Sequence, residues 1–70
     1  MSRVQETVVV FHVGDNVRIK QSIRSPYAGH AGTICLIDSF EAETEYLVRF
    51  SDGLAFRYTA NEMELVKVAG

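Results

Sequence analysis

A small five-stranded β-barrel, all-β apart from one short helical turn and with an extra strand or extension at its amino end, is predicted for this chain. Short runs rich in β-branched and aromatic residues recur along it, cut at close intervals by Gly, Asp, Ser and Asn. No long stretch carries apolar residues at helical spacing. The 70 residues make one domain, near the length at which a single apolar core holds a fold only marginally.

Residues 1–6 are polar and are expected to fray, as are residues 69–70, which leaves 7–68 as the domain. Thr7 to Val13, TVVVFHV, is a strand by its β-branched content and ends at the turn signal Gly14-Asp15. It either completes its own sheet or projects as an edge that a second copy or another chain covers. NVRIK alternates, with Val17 and Ile19 on one face and Arg18 and Lys20 on the other. Gln21 to His30 has no period and contains Ser25-Pro26, so it is a long loop with Tyr27 at or near its tip. AGTICLID is a strand apolar on both faces, and either Ile34 and Leu36 or Cys35 and Ile37 turn to the core. A bulge after Gly32 would let Ile34 and Ile37 both do so. SFEAET is an acidic turn region, EYLVRF and LAFRY are two more strands, TANEM forms one helical turn, and ELVKV closes the chain as the last strand.

The connection between EYLVRF and LAFRY decides which way Arg57 points. A two-residue Asp52-Gly53 loop would set Val48 opposite Arg57 and mix apolar with charged side chains. A three-residue loop, Ser51-Asp52-Gly53, is a type I turn followed by a left-handed residue, a conformation that glycine accepts. Phe50 then pairs with Leu54, Val48 with Phe56 and Tyr46 with Tyr58, all six on one face, while Leu47, Arg49, Ala55 and Arg57 share the other. Burying an unpaired guanidinium costs several kcal/mol, on the order of the whole net stability of a small domain. The three-residue register is therefore expected, with Arg57 pointing out.

Net charge is −2, so the overall excess of cations typical of a sequence-independent phosphate binder is missing. Cys35 is alone, which excludes an internal disulfide, and with only His12 and His30 beside it there is no zinc-ligand spacing. No Gly-x-Ser-x-Gly occurs, and the glycines of YAGHAG precede a strand rather than a phosphate-cradling helix. TVVVFHV is far shorter than the ~20 residues of a membrane-spanning helix and lacks the flanks of a secretory signal. The chain is accordingly read as cytoplasmic and non-catalytic, with no cofactor, no metal and no membrane partner.

The candidate site is the outward pair Arg49 and Arg57, flanked by Leu47 and Ala55, because arginine can meet carboxylate or phosphate in bidentate fashion. Arg18, Lys20 and Arg24 extend it, and these three cations stand apart in sequence from the carboxylates of Asp38, Glu41, Glu43 and Glu45. Spatial segregation of the two groups would give a dipole able to steer a partner. Tyr27 either contacts a ligand from its loop or plugs the open end of the barrel.

VGDNVRIK, YAGHAGTI, YLVRFSDG and NEMELV, in that order from about Phe11 to Val68, resemble the Src-homology-3-like small barrels of the KOW-like type. The peptide-binding members use a tryptophan and an Ala-Leu-Tyr-Asp-Tyr stretch, neither of which is present, so recognition of proline-rich peptides is not expected. FRYTANEMELV is similar to the ending of small accessory subunits of photosynthetic electron transfer, such as the variable chain of ferredoxin-thioredoxin reductase and the ferredoxin-docking subunit of the NADH-dehydrogenase-like complex. That resemblance implies a non-catalytic module that holds an acidic protein partner. The KOW-like resemblance implies the alternative, a nucleic-acid-binding domain that contacts phosphates through Arg18, Lys20, Arg24 and Arg57. A third reading is an enzyme similar to the plasmid-borne, pore-type dihydrofolate reductase, whose pore-lining Val-Gln-Ile-Tyr is matched in Ala55 to Tyr58 only at Tyr58.

Overall fold

The computed structural model describes residues 10–66. Five antiparallel strands, β1 (Asn16–Ile19), β2 (Ala31–Phe40), β3 (Glu43–Arg49), β4 (Ala55–Tyr58) and β5 (Met63–Leu65), form one sheet in the order β4-β3-β2-β1-β5. A single 3-10 turn, Ala60–Glu62, precedes β5, and the fold is all-β apart from it. Among the described residues the ladder does not close, with β4 and β5 as its two ends.

The alternation expected of NVRIK is present, since Val17 and Ile19 are fully buried while Asn16 and Arg18 are exposed. Together with Ile34 and Val48 they form the driest part of the core, each such side chain contributing about 1.5–3 kcal/mol relative to exposure. Phe11, Phe50, Tyr58 and Met63 complete the buried set, and Ile23, Tyr27, Ile37 and Tyr46 pack on it half-exposed.

The β3–β4 hairpin has the three-residue register. Tyr46 faces Tyr58, Leu47 faces Arg57, Val48 faces Phe56 and Arg49 faces Ala55. The Gly53 N–H donates to the Phe50 carbonyl at 2.9 Å, closing the turn, and Gly53 itself has φ +91°. The ladder resumes where the Phe50 N–H donates to the Leu54 carbonyl at 2.8 Å. Arg57 lies on the face away from the core. The expectation that all six apolar residues of this hairpin gather in the core is corrected at two of them: Leu54 is 55% and Phe56 42% exposed. Phe56 lies on the end strand and Leu54 just before it, and among the described residues no sixth strand covers their outer flank.

Three other expectations need correction. The Thr7–Val13 strand falls partly outside the described residues, and its described part, Val10–Val13, is not a strand. Asp15 accepts the His12 N–H at 2.8 Å on its carboxylate and donates its own N–H to the His12 carbonyl, so the run ends in a turn that inserts only Phe11 into the core, edge-on to Tyr46. The pairing of this segment with a second copy, the frayed tails and the end of the ELVKV strand at Lys67 and Val68 also lie outside the described residues. SFEAET is mostly strand rather than turn: Ser39 faces Thr44, Phe40 faces Glu43, and only Glu41 and Ala42 turn the chain. Last, the bulge in β2 sits at Cys35, between the pairs Ile34–Val48 and Leu36–Leu47, and not after Gly32. It has the anticipated effect, because Ile34 is buried and Ile37 packs against the core.

Gly32 has a different role from the bulge. A Cβ built there would lie 2.6 Å from Val48 Cγ1 and 2.8 Å from the Arg49 carbonyl oxygen. The carbonyl belongs to the ladder and has no room to move aside. Gly32→Ala is therefore expected to destabilise the fold by roughly 1–3 kcal/mol, read as a lowered urea midpoint. Glu41 occupies the left-handed region, at φ +56°, at the tip of the β2–β3 turn. Glu41→Gly relieves that strain and is expected to raise stability by up to about 1 kcal/mol in the same titration.

Candidate functional site

Alternation and register assign every exposed strand residue to one of two surfaces. The outer face carries Asn16 and Arg18 from β1, Thr33, Leu36 and Asp38 from β2, Glu45, Leu47 and Arg49 from β3, and Ala55 and Arg57 from β4. The loop of residues 20–30 instead packs against the inner face near β4, where Ile23 and Tyr27 join the core cluster. The candidate residues are thus divided: Arg18, Leu47, Arg49 and Arg57 share the outer face, while Arg24 and Tyr27 lie in the loop. Lys20 stands just beyond β1, where its N–H donates to the Glu62 carbonyl at 3.0 Å.

Arg57 is not a free cation. Its Nη1 donates to Asp38 Oδ2 at 3.1 Å and lies 3.6 Å from Glu45 Oε1. Asp38 and Glu45 face each other across β2 and β3, a like-charge pair that would be unfavourable without a cation beside it. All three side chains are about half exposed, so each pairing contributes only ~0.2–1 kcal/mol. Arg57 thus sits among the carboxylates, whereas among the described residues Arg18, Lys20 and Arg24 pair with none of them. The bulge at Cys35 sets the parity of β2 that brings Asp38 onto the face of Arg57.

Arg49, two residues along β3, has a different environment. Across three strands, Asn16, Thr33 and Arg49 form a row, in which the Thr33 hydroxyl donates to the Asn16 side-chain oxygen at 3.0 Å. With Ser51, Cys35 and Val66 these residues line an open concavity of about 570 Å³. Among the described residues, no carboxylate lies within ion-pairing distance of Arg49 or Arg18. The concavity thus offers a guanidinium, two hydroxyls and a side-chain amide on an apolar floor. That donor set suits a carboxylate or a phosphate.

Tyr27 plugs rather than projects. Its ring stacks on Phe50 at 4.1 Å with planes 12° apart, tilts against Phe56 at 5.3 Å and meets His30 edge-on. Its hydroxyl donates to Asp52, whose other carboxylate oxygen accepts the Leu54 N–H at 3.0 Å. Ser25 braces the loop from the other side, since its hydroxyl shares a 2.7 Å hydrogen bond with the Tyr58 hydroxyl and accepts the Tyr27 N–H at 3.1 Å. The contact between Tyr27 and Asp52 joins residues 25 apart in sequence, and only the Asp-Gly turn hinted at a role for that carboxylate. Cys35 is half-buried, with Sγ 3.5 Å from the Leu47 carbonyl oxygen. Among the described residues, no three His, Cys, Asp or Glu side chains are grouped as metal ligands.

Comparison of the chain with family models, with curated proteins and with solved structures finds no match in any of the three.

The Tyr27 hydroxyl, followed by the Leu54 N–H, holds the Asp52 carboxyl below its ordinary 3.8, and the same bond to Asp52 raises the Tyr27 hydroxyl above 10.0. A depressed carboxyl stabilises the fold above its ordinary value, and that contribution is lost as pH falls through the lowered one. A raised tyrosine contributes below 10.0 and loses the contribution as pH rises through the shifted value. In Tyr27→Phe the stacking survives, but the acid loss of stability associated with Asp52 is expected to be smaller. Urea unfolding of both proteins from pH 2 to 6 checks this, and identical pH slopes would count against the latch.

Proposed function

We propose that this chain is a non-catalytic binding or accessory module of the Src-homology-3-like, KOW-like type, holding an acidic protein partner at the corner of Arg49 and Arg18. The strand order β4-β3-β2-β1-β5, the long loop between β1 and β2, and the 3-10 turn before β5 support the barrel assignment. A cytoplasmic location goes with this reading; among the described residues, no helix is long and apolar enough to cross a membrane.

One observation carries the binding assignment. Of the two outward arginines on the central ribbon, Arg57 is satisfied by Asp38 and Glu45, whereas Arg49 lines the concavity with no carboxylate against it among the described residues. The surface proposed from the sequence therefore moves one step along the ribbon, from the Arg49/Arg57 pair to Arg49, Arg18, Asn16, Thr33 and Ser51, with Leu47 and Leu36 as its apolar neighbours. A partner carboxylate would recover hydrogen bonds that an exposed guanidinium otherwise makes to water, which gives selectivity and association rate more than raw affinity.

Arg49→Glu is expected to abolish capture of the partner from the native cell while leaving the thermal midpoint within a few degrees, since the side chain is exposed. Capture that survives Arg49→Glu would refute the assignment. The nucleic-acid alternative separates in a salt titration. Binding to single-stranded RNA or duplex DNA that falls linearly in log salt, with a slope set by the phosphates contacted, would replace the protein-partner reading.

A further inference from the structure

A second surface lies along the free edge of β4. The Phe50 N–H bonds the Leu54 carbonyl, so Leu54, Phe56 and Tyr58 direct their backbone groups toward β3. By the same alternation Ala55 and Arg57 direct theirs outward. Among the described residues the sheet order places no strand on that side. Two N–H and two C=O groups therefore lie along this edge, and beside it is a cleft of about 300 Å³ to which Arg57 contributes together with Ile23, Arg24, Phe56, Tyr58 and Glu62. Ile23, Phe56 and Tyr58 supply its apolar part, and Phe56 remains 42% exposed. Glu62 is occupied, since its carboxylate accepts the Thr59 N–H at 2.8 Å. Arg24 has no carboxylate in ion-pairing distance among the described residues.

The geometry points to strand addition at this edge: an extended segment of a partner protein pairs with Ala55 and Arg57, its inward side chains alternating between apolar residues over Phe56 and Ile23 and an acidic residue toward Arg24. Main-chain pairing would supply affinity, and alternate side chains would supply selection. A second copy of this chain is the poorer occupant. Pairing β4 with its own symmetry mate would bring two Arg24 loops to one junction, with only four residues of strand to offset their repulsion. This surface is separate from the Arg49 corner, so either proposal can fail without the other.

The probe is acetyl-Thr-Val-Thr-Glu-Thr-Val-Thr-amide, whose Val-Glu-Val face reads the same in either strand direction, compared with the same peptide carrying Lys for Glu. On titration into the full chain, the Ala55 and Arg57 amides are expected to shift and their hydrogen exchange to slow. Replacing Glu by Lys is expected to weaken binding roughly fivefold, as is Arg24→Glu, and combining the two changes is expected to restore it. Ala55→Pro removes an N–H only from the free edge, at the first residue of β4, and is expected to fold yet lose the protection. The proposal is overturned if those amides do not respond or if the Glu and Lys peptides bind Arg24 variants alike. It is equally overturned if the edge amides are already protected in the free protein, whether dependent on its concentration, as in self-pairing, or not.

Discussion

Strand parity, fixed at one loop, is the constraint on which the rest of this molecule depends. The Ser51-Asp52-Gly53 connection contributes an odd number of residues between β3 and β4. That places Val48, Phe50 and Tyr58 inward, and it puts both ribbon arginines in water. Gly53 permits it because its backbone lies where an L side chain is disfavoured. A connection one residue shorter would send a guanidinium toward Val48, at a desolvation cost comparable to the stability of the domain. The same loop carries Asp52, so the residue that helps set the turn also receives the hydroxyl of Tyr27.

So small a core needs a cover that its strands do not provide. The four aliphatic side chains at its centre come from β1, β2 and β3, and aromatic rings close the rest. Tyr27 lies flat on Phe50, Phe50 meets Tyr58 edge-on, and Phe11 meets Tyr46 edge-on. Stacked and edge-on aromatic pairs add about 0.5–1.5 kcal/mol each beyond the area they bury. The loop of residues 20–30 therefore acts as a packed wall of the domain, closed at its base where the Ile19 N–H donates to the His30 carbonyl and the Gly29 N–H to the Ile19 carbonyl. With Tyr27 occupied in this way, the partner surfaces we propose are the Arg49 concavity and the β4 edge.

How much of this was legible in the sequence follows from the range of each interaction. The β3–β4 register could be read because it rests on residues of a single hairpin and one glycine. The alternation of β1 could be read for the same reason. In β2 the residues are apolar on both faces, so period two gives no answer; the need to bury Ile34 and Ile37 signals a bulge but not its place. The partners of Arg57 depend on that place, since Asp38 reaches the outer face only because Cys35 is the unpaired residue. Tyr27 and Asp52 are joined through space alone. The exposure of Leu54 and Phe56 was missed because alternation identifies a face, whereas burial also requires a neighbour on each side.

The bulge at Cys35 makes β2 a strand of two phases. Before it, even-numbered residues such as Gly32 and Ile34 look inward; after it, odd-numbered ones such as Ile37 do. Exchanges at position 35 change little beyond one half-covered thiol, and losing that residue would only straighten the strand, since Ile34, Leu36, Ile37 and Asp38 would then alternate opposite the same partners on the same faces. Over evolutionary time this joint should therefore accept new side chains, and even a gap, more readily than the paired positions on either side of it, where losing one residue would turn the far arm over.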